Sequence, residues 1–116
     1  MTKYNKHLSE PWFTLVKLGL KTCEGRLNKG SFSNMKQGDI IEFENSDFSF
    51  KRVCKREIKT ITYHNTFNDY LKKETLKKCL PGIDRINDGL NIYYKYFTKE
   101  DEKKYGVIAL SLIKSN

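Results

Sequence analysis

The sequence predicts an α+β protein with strands enough for a small barrel and helices packed on its openings. Three observations carry this expectation. An amphipathic stripe lies near the N-terminus, a long alternating run spans about 46 to 64, and the closing segment GVIALSLIK is almost wholly apolar. With 116 residues the chain suits one domain, 1–116, built around a single core.

The first element is expected in HLSEPWFTLVKLGLK, as a helix over about 10–18. Ser9 fits an N-cap, Glu10 and Pro11 fit the first turn, and Gly19 fits the stop. Trp12, Leu15 and Val16 form its apolar stripe, with Trp12 anchoring the helix to the sheet. KTCEGRL then reads as a strand at about 22–27, NKGSFSNMKQGD as loop, and Gly38-Asp39 as a turn into the strand IIEFEN, with Ile41 and Phe43 on one face. In SDFSFKRVCKREIKTITYH neither face is clean, which points to a bulge or register switch in a long strand.

Thr66 and Asp69 have capping-box spacing before a helix expected over 67–79, which Pro81-Gly82 ends. Leu90, Tyr93, Tyr94 and Phe97 recur at helical spacing. Thr98 caps a further helix with acids in its first turn and lysines in its last, as the helix dipole favours. The final strand is apolar at nearly every position, so it belongs in the middle of a sheet or barrel wall.

Composition narrows the function. A chain that is 38% hydrophobic and 13% aromatic is too apolar to be disordered. No apolar run approaches the ~18–20 residues that cross a bilayer, and MTKYNKHLSE lacks the pattern of a signal peptide. A cytoplasmic or nuclear protein without a membrane partner is expected. Cys23, Cys54 and Cys79 are odd in number and widely spaced, so buried thiols are expected, with no disulfide framework, no metal site and no cofactor. The net charge of +8 suggests a polyanionic partner such as nucleic acid. Each half of the chain carries 11 basic and 7 acidic residues, so any such surface must be assembled by the fold.

One segment concentrates the chemistry: LKTCEGRL. In a strand, Thr22, Glu24 and Arg26 share a polar face, while Cys23, Gly25 and Leu27 share a small, apolar one. Gly25 lets a backbone or ligand come close. Two readings stand at this point. The first is a solvated Glu–Arg pair worth ~0–1 kcal/mol beside an ordinary lysine. The second is a cleft floor, with Glu24 accepting from a base edge or holding Arg26, Arg26 offering a planar fork, and Lys21 a point charge or shielded base.

The segments SEPWF, LGLKTCEGRL, GDIIEF, TFNDYL, LPG and YYKYFTKEDEKKYGVIALSL together resemble the ASCH domain, a branch of the PUA-like superfamily, over residues 8–113. The most specific match is G-x-K-x-x-E-x-R, here Gly19, Lys21, Glu24 and Arg26. The resemblance implies a small β-barrel with helices at its openings and a cleft beside the first helix that faces RNA or a nucleotide-like ligand. It therefore favours the second reading. Some ASCH-type members remove the acetyl group of N4-acetylcytidine with a lysine in this segment and a threonine three residues later. Lys21 matches the lysine, but Glu24 occupies the threonine position and Thr22 has the wrong offset, which weakens that reading. Metal-independent ribonuclease activity, also attributed to the family, would draw on Lys21, Arg26 and a tyrosine such as Tyr93.

The expected ligand-binding set is thus Gly19, Lys21, Thr22, Glu24, Arg26 and Tyr93, with Arg52 and Arg56 extending a phosphate track. Lys21 is the catalytic candidate if the protein is an enzyme. Tyr93, Tyr94, Tyr96 and Phe97 suit either core or a base-stacking platform. Lys72, Lys73, Lys77 and Lys78 suit a solvated helix side, and His64 a structural hydrogen bond. The function expected is binding of single-stranded or unpaired RNA. A small hydrolase acting on RNA or a modified nucleoside is the alternative, and a protein-interaction module the third reading.

Overall fold

The structure, a computed structural model, describes residues 1–115. The chain runs β1 (Lys3–His7), α1 (Trp12–Lys17), β2 (Cys23–Leu27), β3 (Ile40–Asn45), β4 (Arg52–His64), α2 (Phe67–Glu74), α3 (Leu76–Cys79), α4 (Ile86–Tyr93), α5 (Lys99–Tyr105) and β5 (Val107–Lys114). The five strands form one curled sheet in the order β1-β3-β4-β5-β2. All pairs are antiparallel except β1 with β3. The α+β half-barrel follows the expectation.

The apolar β5 lies between β4 and β2, and its alternation feeds two cores. Ile108, Leu110 and Leu112 face a cluster with Phe13, Val16, Ile41, Phe43 and Ile58, covered by α1. Val107 and Ala109 face a second cluster with Phe67, Tyr70, Leu71, Leu80 and Tyr93, covered by α2–α4. Trp12 packs against both. Its role is therefore wider than anchoring α1.

Several elements differ from the sequence reading for identifiable reasons. The strand β1 was not expected, because KYNKH offers only Tyr4 and the stem of Lys6 to the interior. Its parallel ladder with β3, from Lys3 opposite Ile40 to His7 opposite Glu44, holds it instead. Helix α1 is shorter than 10–18, and Ser9 does not cap it. The Glu10 carboxylate does, accepting from the Thr14 amide at 2.9 Å and its hydroxyl at 2.6 Å. The alternating run splits into a tip at 46–51 and β4, whose register shifts between Ile58 and Thr60 as a bulge. The helix expected at 67–79 is two, broken where Thr75 takes φ of 81°. Thr66 and Thr98 accept from the amides of Asp69 and Asp101, the two caps expected. No described helix is long and apolar enough to cross a membrane.

Candidate functional site

The two sheet edges, β1 and β2, approach each other without pairing. The Arg26 guanidinium spans the seam, donating from Nη2 to the His7 carbonyl at 3.0 Å. Beside it opens a cleft of about 260 Å³, where the two cores meet. That is near the lower limit of small-molecule pockets, ~300 Å³, so it suits a ligand the size of one base or nucleoside.

Lys21, Glu24, Gly25 and Arg26 form its polar floor. Gly19 takes φ of 79°, reverses the chain after α1 and sends Lys21 inward. Lys21 is 2% exposed, and its ammonium has three acceptors. These are the Cys23 carbonyl at 2.6 Å, the Cys79 carbonyl, and Glu24 Oε1 at 3.1 Å. With three N–H groups matched, Lys21 ties β2 to α3 and holds Glu24. It has no N–H left for a phosphate oxygen in this arrangement.

The second carboxylate oxygen of Glu24 accepts from Arg26 Nε at 2.8 Å. Burial pushes the Glu24 carboxyl upward, but the Lys21 and Arg26 charges, with their hydrogen bonds, outweigh it and hold the group below the ordinary carboxylate value. Glu24 is thus a buried anion held between two cations, with a lone pair remaining on each oxygen. Arg26 keeps N–H groups beyond the two that are bound, and its side chain is about one-fifth exposed.

The walls are aromatic and apolar. Trp12 and Leu8 come from the α1 side, and Leu80, Tyr93, Tyr96 and Phe97 from the helical side. The Tyr93 hydroxyl meets that of Tyr70 at 2.9 Å, and its ring stacks on Phe67 with centroids 4.7 Å apart. Burial, followed by the nearby Glu24 charge, keeps the Tyr93 phenol well above its ordinary value, so it stays a neutral hydroxyl. Tyr96 is 61% exposed at the rim, where its hydroxyl lies 3.3 Å from Ser9 Oγ. The arrangement offers flat π surfaces above a charged floor with both donors and acceptors.

Residues 7–115 match the ASCH domain. The chain belongs to the ASCH domain family. It is 35% identical to the hypothetical protein PH0355, whose crystal structure superposes with a TM-score of 0.86 over 96% of this chain and 97% of that one. It is also 35% identical to PF0455 of Pyrococcus furiosus, solved in solution, with a TM-score of 0.76 and 96% coverage of each. No curated protein matches the chain.

Within this ASCH fold, four of the eight residues expected to bind ligand line the cleft: Lys21, Glu24, Arg26 and Tyr93. The others lie outside it. Gly19 ends α1, and Thr22 is tied by its backbone to Lys78 and Leu112. Arg52 binds Glu10 at 2.6 Å and Asn45 at 2.7 Å between the rings of Phe13 and Phe48. Arg56 donates to the Val16 and Lys17 carbonyls at the end of α1. Both arginines are engaged by the protein itself, and neither lines the cleft. Gly25 admits a close neighbour as expected, but that neighbour is the Tyr70 ring rather than a ligand. His64 bonds Glu74 at 3.0 Å, the structural role expected of it. Among the described residues the three cysteines are free and buried, and no His, Cys, Asp or Glu cluster could hold a metal ion.

Proposed function

We propose that this ASCH domain binds single-stranded or unpaired RNA, with one base in the Trp12–Tyr96 cleft. The carrying observation is the pairing of aromatic walls with a buried, ionised Glu24 locked beside Arg26. A base presents two π faces and an edge of donors and acceptors. Tyr93, Tyr96 and Trp12 suit the faces, and Glu24 and Arg26 suit the edge. Membership in a family generally linked to RNA binding supports the same reading, as does the net charge of +8.

The roles divide accordingly. Lys21 fixes the Glu24 carboxylate, Glu24 accepts from a base N–H, and Arg26 reaches both the base edge and the seam. Phosphates are met by basic side chains around the mouth. The test is fluorescence anisotropy of a labelled mixed-sequence single-stranded RNA at two salt concentrations. Affinity falls steeply with salt as counterions are released. Tyr96→Ala, at an exposed rim position, weakens binding by the loss of one stacked base, ~1–3 kcal/mol or roughly 5- to 150-fold. Salt-insensitive binding, or an unaltered Tyr96→Ala, overturns the reading.

A further inference from the structure

Arg26 faces a second neighbourhood on the outer side of the seam. Its Cζ lies 5.1 Å from the centroid of Phe32, and Lys6 Nζ lies 4.4 Å from the same centroid. Lys6 donates to the Ser31 hydroxyl and has no carboxylate partner among the described residues. The carboxylate bound to Arg26, Glu24, is already shared with Lys21. The linked group therefore holds three cations, Lys6, Lys21 and Arg26, against one anion.

Keeping two cations over one ring has a cost. Burial, and then the Arg26 charge, lower the Lys6 pKa, so its charged form is disfavoured where it stands. A ring face offsets only a small part of that cost. The Lys6 stem lies in a half-buried position of an edge strand, and its ammonium has the Ser31 hydroxyl and the Phe32 face as partners. An anion between Lys6 and Arg26 removes the repulsion and uses their remaining N–H groups. Lys6 has two beyond the Ser31 bond, and Arg26 has three beyond its bonds to Glu24 and His7.

We propose that Lys6 and Arg26, above Phe32, form a phosphate seat at the cleft mouth, so that the ligand is a nucleotide carrying its phosphate and not a free nucleoside. This rests on the reading of the cleft as a base site, and Arg26 links the two by contributing to both. The seat selects the class of ligand: a nucleoside monophosphate or a nucleotide within a strand. A modified free nucleoside would leave the Lys6–Arg26 repulsion in place.

Trp12 is the chain's one tryptophan and lines the cleft, so its fluorescence reports occupancy. The experiment titrates the wild type with the four ribonucleosides and with their 5′- and 3′-monophosphates at low salt. At least one monophosphate binds about 10-fold or more tighter than its nucleoside, the scale of a charge-assisted contact. Lys6→Gln abolishes that preference and leaves nucleoside affinity within about twofold, with its thermal unfolding measured alongside. Equal affinity for nucleoside and monophosphate in the wild type overturns the seat while the base-site reading stands. A preference that survives in Lys6→Gln does the same. No Trp12 response to either ligand overturns both.

Discussion

Replacing Glu24 by Gln tests whether the cleft floor is also a structural clamp. The Lys21 and Glu24 side chains are 1% and 5% exposed, so solvent screens little of their 3.1 Å contact. Removing one partner of such a pair leaves a buried charge uncompensated, which costs ~3–5 kcal/mol. Lys21 retains the Cys23 and Cys79 carbonyls, and the amide oxygen of Gln can still accept, which places the loss near the lower value. With a urea m-value of ~1.5 kcal/mol/M, a loss of ~3 kcal/mol lowers the unfolding midpoint by ~2 M. The loss depends on pH. Because the folded-state pKa of Glu24 lies below its unfolded value of ~4.3, its contribution is complete above that value and declines as pH falls through the folded pKa. The gap between wild type and Glu24→Gln is therefore widest near neutrality and narrows in acid. Glu10 and Asp39, whose pKa values are also lowered, affect both proteins alike and cancel in the difference. Urea unfolding across pH 3–7 measures it. A gap under ~0.5 kcal/mol at pH 7, the scale of an ordinary surface substitution, refutes the clamp. So does a Lys21→Met/Glu24→Gln double variant whose loss equals the sum of the singles, because contacting partners should couple.

Three further outcomes follow from the packing. In Gly25→Ala the new Cβ would stand 2.3 Å from Tyr70 Cζ, a fully buried ring bonded to Tyr93, so overpacking costs ~1–3 kcal/mol or more in a denaturant titration, and tolerance would contradict the packing. Thr66→Ala and Thr98→Ala each remove a side-chain cap and lower stability by ~1 kcal/mol, measured the same way, whereas Lys72→Ala on the solvated side of α2 stays within ~0.5 kcal/mol. The buried thiols of Cys23, Cys54 and Cys79 react with a thiol reagent only after unfolding; prompt reaction of any one in the native protein would contradict its burial.

Much of the fold could be read from local chemistry, because its signals are strong where one residue type is required. The two threonine caps, the bulge and the doubly buried β5 are cases where capping geometry or period-two patterning has few competing solutions. β1 escaped because a polar edge strand carries almost no apolar pattern, and its parallel pairing is a long-range property. That omission also hid Leu8, the His7 carbonyl and Lys6, which only the sheet order brings to Arg26 and the cleft. The G-x-K-x-x-E-x-R segment located the floor. Its spacing did not reveal that Lys21 is fully satisfied by two carbonyls and Glu24, since one of those carbonyls comes from Cys79, 58 residues away. Arg52 and Arg56 show the converse. Alternation placed them on one face of a strand, but a guanidinium can serve a carboxylate or a helix end as readily as a phosphate, and here each does.

The most direct test of a base-binding cleft is to map amide chemical-shift changes on the native protein as a short single-stranded RNA is added. A base held in the cleft gives the largest changes at Leu8–Trp12, Glu24–Arg26 and Tyr93–Phe97, the segments that meet at the seam. Changes confined to the lysine-rich side of α2 and α3, or scattered evenly over the basic surface, would contradict it.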